Sequence, residues 1–280
     1  MTQKIAYQGE PGANSHIACA DAYADMTPLP CRTFEDVFHA VESGEAELAM
    51  IPVDNTIAGR VADIHHILPE TSLSIIAEYY LPIRFQLMAL PGTALPDVRK
   101  ARSHIMGLGQ CRNFMREHDI EAVTSADTAG AAREVAELGD PSIAAIAPEL
   151  AASVYGLEIL ARDIEDAEHN TTRFVIMSRD PGDRQVKDGR TVTAFIFQVR
   201  NIPAALYKVM GGFATNGVNM TKLESYQLGG SFTATQFYAE VEGHPDERNV
   251  QLALEELGFF SNMLKIIGVF AAGERRQTER

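Results

Sequence analysis

The sequence predicts an α/β protein in two parts, a larger N-terminal body and a smaller C-terminal module. Three observations carry this. Over the first two thirds of the chain, short apolar runs alternate with segments of helical periodicity, the pattern of strands linked by helices in largely parallel sheets. A charged stretch bearing Pro and Gly, "SRDPGDRQVKDGR", then breaks the pattern without periodicity of its own. Beyond it, six elements follow in the order βαββαβ within about 80 residues, the ferredoxin-like arrangement.

The elements follow from local chemistry. "KIAYQG" reads as a strand, "EPGAN" as a turn, and "SHIACADAYAD" as a helix with Ser15 near its N-cap. "TFEDVFHAVESG" is a helix capped by Thr33, with Asp36 three residues on and Gly44 at its stop. Phe34, Val37, Phe38 and Val41 form its apolar face. "LAMIPVDN" is a buried strand delivering Asp54, Asn55 and Thr56, and "GRVADIHHILPE" is expected to be a further amphipathic helix. "LSIIAEYYLPI" and "FQLMALPG" read as strands, and "HIMGLGQCRNFMREH" as one helix despite two glycines. "EAVTSADTAGAAREVAELG" and "PSIAAIAPELAASVYG" each give a strand and then a helix, with Pro148 in a first turn and Gly156 at a C-terminal end.

In the C-terminal module, "TVTAFIFQV" alternates, with Phe195, Phe197 and Val199 on one face. Leu206, Val209, Met210 and Phe213 line one helix face. Two strands joined through Gly229-Gly230, a helix stopping at Gly258 and a last strand complete the order. Two helices covering one sheet face leave the other face and the edges open to a second copy. The tail "AGERRQTER" is expected to be frayed. The expected boundaries are residues 1–180, a linker at 181–190, a module at 191–272 and a tail at 273–280.

The chain has 280 residues, 46% of them apolar and 22% charged, which suits a soluble globular protein with a sizeable core. The net charge of −14 argues against nucleic acid as a partner. A single anionic substrate remains compatible, because backbone N–H groups and one arginine suffice to hold it. No apolar run is long enough for a membrane helix, and the N-terminus lacks a signal-peptide core. The three cysteines, Cys19, Cys31 and Cys111, are widely spaced and read as reduced, buried cytoplasmic thiols. The histidines show no metal-ligand spacing, so no metal site is expected from them.

Three polar clusters stand at the ends of elements, where α/β folds collect ligands: Asn55-Thr56, the Ser103…Gln110 pair and Thr171-Thr172-Arg173. On one helix, Ser103 and Gln110 would share a face at roughly 10 Å along the axis. Each cluster alone also reads as ordinary capping or strand-entry chemistry. Together they suggest a site without naming a reaction.

The ordered set "VESGEAELAMIPVDNT", "ARSHIMGLGQC", "TAGAA", "AAIAPELAASVYGLEIL" and "NTTRF" resembles the prephenate dehydratase family. "NIPAALYKVMGGFATNGVNMTKLESYQ" resembles the regulatory ACT domain that follows in that family. The resemblance covers nearly the whole chain. It implies a bilobed, periplasmic-binding-protein-like catalytic part and the decarboxylating dehydration of prephenate to phenylpyruvate, without cofactor. It places the family's essential threonine on Thr172, followed by Arg173 and Phe174. The asparagine of the "ENS/ENT" motif falls on Asn55, and the serine and glutamine of "SHPQALAQC" fall on Ser103 and Gln110. Thr172 is then expected to assist departure of the hydroxyl group, while Asn55, Ser103 and Gln110 orient the substrate. Arg173 and N–H groups near Ser15 and Thr128 would hold a carboxylate, with Thr56 and Phe174 beside the substrate.

The sequence departs from the family pattern in several places. Asp54 replaces a glutamate, Asp127 a serine, and "SHIMGLGQC" lacks the Pro-Gln of "SHPQ". In the regulatory part "PGAL" appears as Pro203 to Leu206 and "ESRP" as Glu224 to Gln227. The resemblance implies that Ile202, Pro203, Ala204, Ala205 and Leu206 of one protomer enclose L-phenylalanine as effector. Leu223, Glu224, Ser225 and Tyr226 of the adjacent one would complete that site, in a homodimer or homotetramer. Two rival readings are an arogenate dehydratase and a non-catalytic bilobed amino-acid sensor.

Overall fold

The computed structural model describes residues 3–61, 64–167, 169–182, 190–227 and 234–278. The chain divides into two compact units, Met1–Ala62 with Tyr79–Phe174, and Asp63–Glu78 with Val175–Arg280. Its elements are β1 (Lys4–Gln8), α1 (Asn14–Ala22), β2 (Thr27–Cys31), α2 (Phe34–Glu42), β3 (Leu48–Asn55), β4 (Gly59–Arg60), β5 (Ser74–Pro82), β6 (Gln86–Ala89) and β7 (Lys100–Ser103). There follow α3 (Ile105–Gln110), α4 (Arg112–Glu117), β8 (Glu121–Thr124), α5 (Thr128–Leu138), β9 (Ile143–Ala147), α6 (Glu149–Tyr155), β10 (Glu158–Ala161) and β11 (Thr171–Ser178). The last are β12 (Thr191–Val199), α7 (Ala205–Thr215), β13 (Met220–Gln227), β14 (Ala234–Glu242), α8 (Arg248–Phe260), β15 (Ser261–Ala271) and α9 (Glu274–Thr278).

The first unit is the mixed α/β body. Strand β1 pairs in parallel with β2 and with β3. A second sheet runs β10-β6-β9-β7-β8, parallel from β9 to β8 and antiparallel at β6 and β10. The expected Thr33 cap of α2 is present, and Asp36 completes it as a capping box: Thr33 Oγ1 accepts the Asp36 N–H at 3.1 Å, and Asp36 Oδ2 accepts the Thr33 N–H at 3.2 Å. Asp127 caps α5 by accepting the Gly130 N–H. The small side chains of α5, β9 and α6 let these elements approach closely, and Ala132, Val135, Ala145, Ala147, Ala151 and Ala152 form a core with Met88 and Leu157.

Two helix expectations in this unit need correction. The segment from Gly59 is not a helix. Asn55 Oδ1 accepts the N–H groups of both Ile57 and Ala58, an Asx turn that reverses the chain. Gly59 takes φ +76°, and Gly59–Arg60 runs back antiparallel to Asp54–Asn55. Residues 64–70 continue as turns, and residues 62 and 63 of that expected helix lie outside the described ones. The expected helix 104–118 is two, broken at Cys111, and Ser103 ends β7 rather than joining Gln110 on a helix face.

In the second unit the elements β12, α7, β13, β14, α8 and β15 follow in βαββαβ order, with sheet order β13-β14-β12-β15. Phe195, Phe197 and Val199 share a core with Val209, Phe213, Phe237, Ala239, Val250 and Leu257, so the two helices cover one face. Leu206 packs against this core, whereas Met210 is exposed. Helix α8 runs past Gly258 to Phe260. The Gly229-Gly230 turn and most of the linker lie outside the described residues.

The other sheet face is not left open, as expected, but carries the chain's own residues 64–71. Lys265 Nζ donates to the carbonyls of Leu68, Pro69 and Thr71 at 3.2, 2.9 and 2.6 Å. Gln236 Nε2 donates to the His65 carbonyl, and the His65 and Tyr226 rings stack with centroids 3.4 Å apart. Over its described residues, to Thr278, the tail is not frayed either: Arg276 of α9 pairs with Glu78 at 3.0 Å and Glu240 at 2.5 Å, two carboxylates whose side chains are fully buried. Those charges need a cation, and α9 supplies it. Among the described residues no helix is long and apolar enough to cross a membrane.

Candidate active site

The Asx turn at the end of β3 fixes more than the chain direction. With Asn55 Oδ1 committed to two backbone N–H groups, the amide nitrogen must face the other way. It donates to Asn170 Oδ1 at 2.8 Å and to Thr172 Oγ1 at 3.0 Å. Asn170 Nδ2 passes on to Gln110 Oε1 at 2.7 Å. The result is a directed relay, Asn55 to Thr172 on one arm and Asn55 to Asn170 to Gln110 on the other. Thr172 Oγ1 accepts this hydrogen bond, so its own O–H is left to donate elsewhere. Thr56 holds the partner segment in place: its Oγ1 donates to the His169 carbonyl at 2.7 Å and accepts the Thr171 N–H at 3.0 Å.

Thr172 faces two adjoining cavities in the first unit, of about 380 and 320 Å³, each within the usual range for small-molecule sites. Asn14, Ser15, Thr128 and Phe174 line the first, and Asn55, Arg60, Phe85 and Gln110 line the second. The N-terminal turns of α1 and α5 present backbone N–H groups at Asn14, Ser15 and Thr128, which favour an anion. The arrangement joins neutral hydrogen-bond donors, one arginine and an apolar wall from Phe85, Phe174 and Ile83. It suits an anionic ring compound that needs polarisation more than a nucleophile.

Comparison with known proteins decides the family. The family described as prephenate dehydratase matches residues 5–182. The chain belongs to the prephenate dehydratase family. It is accordingly an enzyme, a lyase of that class. The chain is 48% identical to a bifunctional N-acyl-homoserine lactone acylase/prephenate dehydratase of Komagataeibacter europaeus, over 98% of this chain and 97% of that one. It is 32% identical to arogenate dehydratase/prephenate dehydratase 1 of Arabidopsis thaliana, covering 95% of this chain and 71% of the relative. A solved structure of prephenate dehydratase from Arthrobacter aurescens in complex with L-Phe matches with a TM-score of 0.87 and 31% identity, covering 96% of this chain and 90% of that one.

Of the residues singled out in the sequence, the dehydratase fold brings Asn55, Thr172, Gln110, Ser15, Thr128 and Phe174 to the cavities. It does not bring Ser103 there. Ser103 is fully buried, and its hydroxyl donates to the Ile146 carbonyl at 2.6 Å, tying β7 to β9. Gly107 sits directly over it: a Cβ there would lie 2.7 Å from Ser103 Oγ. Arg173 is 6% exposed and pairs with Asp54 at 3.3 Å, and it lines neither of these two cavities. Thr56 acts through the backbone of residues 169–171 rather than from the cavity wall.

Three residues of the site were missed. Asn170, 2% exposed, carries the relay from Asn55 to Gln110, and its place before the threonines was the available signal. Arg60 and His104 also line the cavity. Arg60 was hidden by the expectation of a helix where a hairpin forms. No thiol lines these two cavities. Burial pushes the Cys19 and Cys111 thiols well above the ordinary range, and Cys31 is also raised, by burial and then by Asp36 and Glu45.

Proposed function

We propose that the chain catalyses the decarboxylating dehydration of prephenate to phenylpyruvate, with Thr172 as donor to the departing hydroxyl group. The observation that carries this reading is the relay ending on Thr172 Oγ1, which makes that oxygen an acceptor on the Asn55 side and leaves its O–H as a donor beside the cavity it lines. In the reaction the bond from the ring carbon to its carboxylate breaks and carbon dioxide leaves. The electron pair of that bond enters the ring, the C4–O bond breaks, and the oxygen departs with the C4–O bonding pair as hydroxide. One proton from solvent makes it water. Aromatisation drives the step, so the protein's task is to steady charge developing on the leaving oxygen. Thr172 does so without titrating near neutrality. Gln110 and Asn55 orient the ring, and Arg60 with the N-terminal turns of α1 and α5 takes the carboxylates. Arg173 supports the site through Asp54.

Residues 191–272 are read as an ACT regulatory module binding L-phenylalanine at residues 202–206 and 223–226, shared between protomers of a dimer or tetramer. The Arthrobacter complex with L-Phe supports this. Ala204 stands where the family has glycine and keeps a glycine-like backbone, φ +61°, which supports a retained segment geometry. A biosynthetic enzyme with reduced thiols belongs in the cytoplasm.

The test is absorbance of phenylpyruvate formed from prephenate by the purified chain, with arogenate offered in parallel. Turnover of arogenate alone would replace prephenate as the substrate. The Komagataeibacter relative's name raises a second activity, so an N-acyl-homoserine lactone belongs in the same assay; release of the free acid would establish it. L-Phenylalanine titrated calorimetrically into the full chain tests the regulatory reading, which fails if no heat of binding appears at millimolar ligand.

A further inference from the structure

We propose that Asp166 is a positioning residue, a carboxylate that fixes the place of Gln110 relative to Thr172. This rests on the dehydratase reading above, in which Gln110 orients the substrate that Thr172 acts on. Gln110 ends α3, and Cys111 stands before α4. A helix start leaves N–H groups that its own turns cannot pair, and Cys111 gives α4 no side-chain cap. Asp166, 54 positions after Arg112, supplies one. Its Oδ2 accepts the Arg112 N–H at 3.2 Å, and its Oδ1 accepts the Asn113 N–H at 3.1 Å. Its own N–H donates to the Gln110 carbonyl at 2.6 Å. One residue thus holds the break between the two helices from both sides of Cys111.

The consequence lies in the order of residues along one segment. Asp166 holds the Gln110 main chain, Asn170 Nδ2 donates to the Gln110 side chain at 2.7 Å, and Thr172 follows two positions later. The stretch that presents the threonine therefore also grips Gln110, by backbone at one point and by side chain at another. Gln110 and Thr172 line the same cavity. Two grips fix both the place of Gln110 and the rotation of its amide, where the Asn170 bond alone would leave it to move with the start of α4. The neighbouring Glu165 extends the clip to the apolar wall: its carboxylate accepts the N–H of Phe85, which lines that cavity too, at 2.9 Å. Asp166 is itself exposed and lines neither cavity. It fills no core space, so its contribution is its hydrogen bonds. Misplacing a group that orients a substrate by about 1 Å costs about 100-fold in rate.

A double-mutant cycle with Gln110 tests this, on whichever of prephenate and arogenate the wild type turns over, at a temperature where circular dichroism shows each variant folded. Asp166→Ala removes the cap of α4 without opening a core cavity, and kcat is expected to fall about 10- to 100-fold. Asp166→Asn keeps one acceptor oxygen and should recover part of that loss. In a Gln110→Ala background, adding Asp166→Ala should change kcat by no more than about twofold, because the amide it places is already gone. Losses that multiply across the two sites overturn the proposal, since Asp166 then acts elsewhere in the structure. An unchanged kcat in Asp166→Ala or in Gln110→Ala overturns it as well, and in each of these cases the dehydratase reading stands. Should Asp166→Ala not fold, Asp166→Asn takes its place in the cycle: a loss that disappears in the Gln110→Ala background supports the proposal, and a loss that persists there, or no loss, refutes it. A wild-type chain that turns over neither substrate removes the dehydratase reading and this proposal with it.

Discussion

The Asn55 amide nitrogen donates to the Thr172 hydroxyl oxygen at 3.0 Å, and it does so because two backbone N–H groups hold the Asn55 oxygen on the opposite side. The direction of this bond matters more than its existence. Reversed, it would take the Thr172 proton away from the cavity.

Asn55→Asp tests that direction. One aspartate oxygen can keep the two backbone bonds, but the other can only accept, so it draws the Thr172 proton inward. The loss of one transition-state donor costs about 10²–10³ in kcat. Thr172→Ala should show a loss of the same order. Both variants should keep the wild-type melting temperature within a few degrees. A near-normal rate in Asn55→Asp would mean that Thr172 does not act as donor.

Asn170 carries one arm of the relay from Asn55 to Gln110, from a 2% exposed position. Asn170→Ala leaves the Asn55 nitrogen and the Gln110 oxygen each one partner short. Unpaired buried polar groups cost about 1–3 kcal/mol, so denaturant midpoints should fall. Activity should fall as well, because Gln110 loses the bond that sets its amide orientation. Lower stability with unchanged kcat would restrict Asn170 to a structural part.

These residues show what a sequence can and cannot disclose. The capping box at Thr33 and Asp36 lies within four residues, and the Phe195, Phe197 and Val199 alternation repeats every second residue, so both were legible. Asn55 and Asn170 are 115 positions apart, and their hydrogen bond has no local signature. Ser103 and Gln110 failed as a helical pair because the strand ends at Ser103 and His104 opens the helix. The hairpin at Gly59 was hidden because the Asn55 side chain, rather than the apolar pattern, decides the turn.

Ser103 offers a prediction that separates packing from catalysis. Ser103→Ala removes the bond to the Ile146 carbonyl, costing about 1 kcal/mol, while kcat should stay within a few-fold of wild type. Gly107→Ala should destabilise, since its new Cβ would meet Ser103 Oγ at 2.7 Å. The Ser103→Ala background should relieve part of that loss. A 100-fold drop in kcat for Ser103→Ala would restore it to the catalytic group.

His16 gives a pH dependence with a definite sign. Its Nδ1 accepts the Gly12 N–H at 3.0 Å, its ring stacks on Tyr7, and burial lowers its pKa below 6.5. The unfolded chain therefore binds the proton more readily than the folded one. The stabilising contribution is complete above about pH 6.5 and is lost as pH falls toward the folded-state value. Urea midpoints measured at pH 7.5 and 5.5 should drop further for wild type than for His16→Asn. Equal drops would mean that His16 does not carry the dependence.

Ala204 is the last test, and it concerns the backbone alone. At φ +61° it occupies the left-handed region as a non-glycine residue, just before α7. An L-residue pays roughly 1–2 kcal/mol there. Glycine removes this strain but loses more chain entropy on folding, so Ala204→Gly should stabilise by about 1 kcal/mol or less. The removed methyl group also stands in the segment proposed to receive L-phenylalanine. Calorimetry should therefore show tighter binding in the glycine variant, along with a slightly higher melting temperature. Higher stability with unchanged affinity would place the methyl group outside the effector site, whereas lower stability would show that the segment relaxes out of the left-handed conformation in solution.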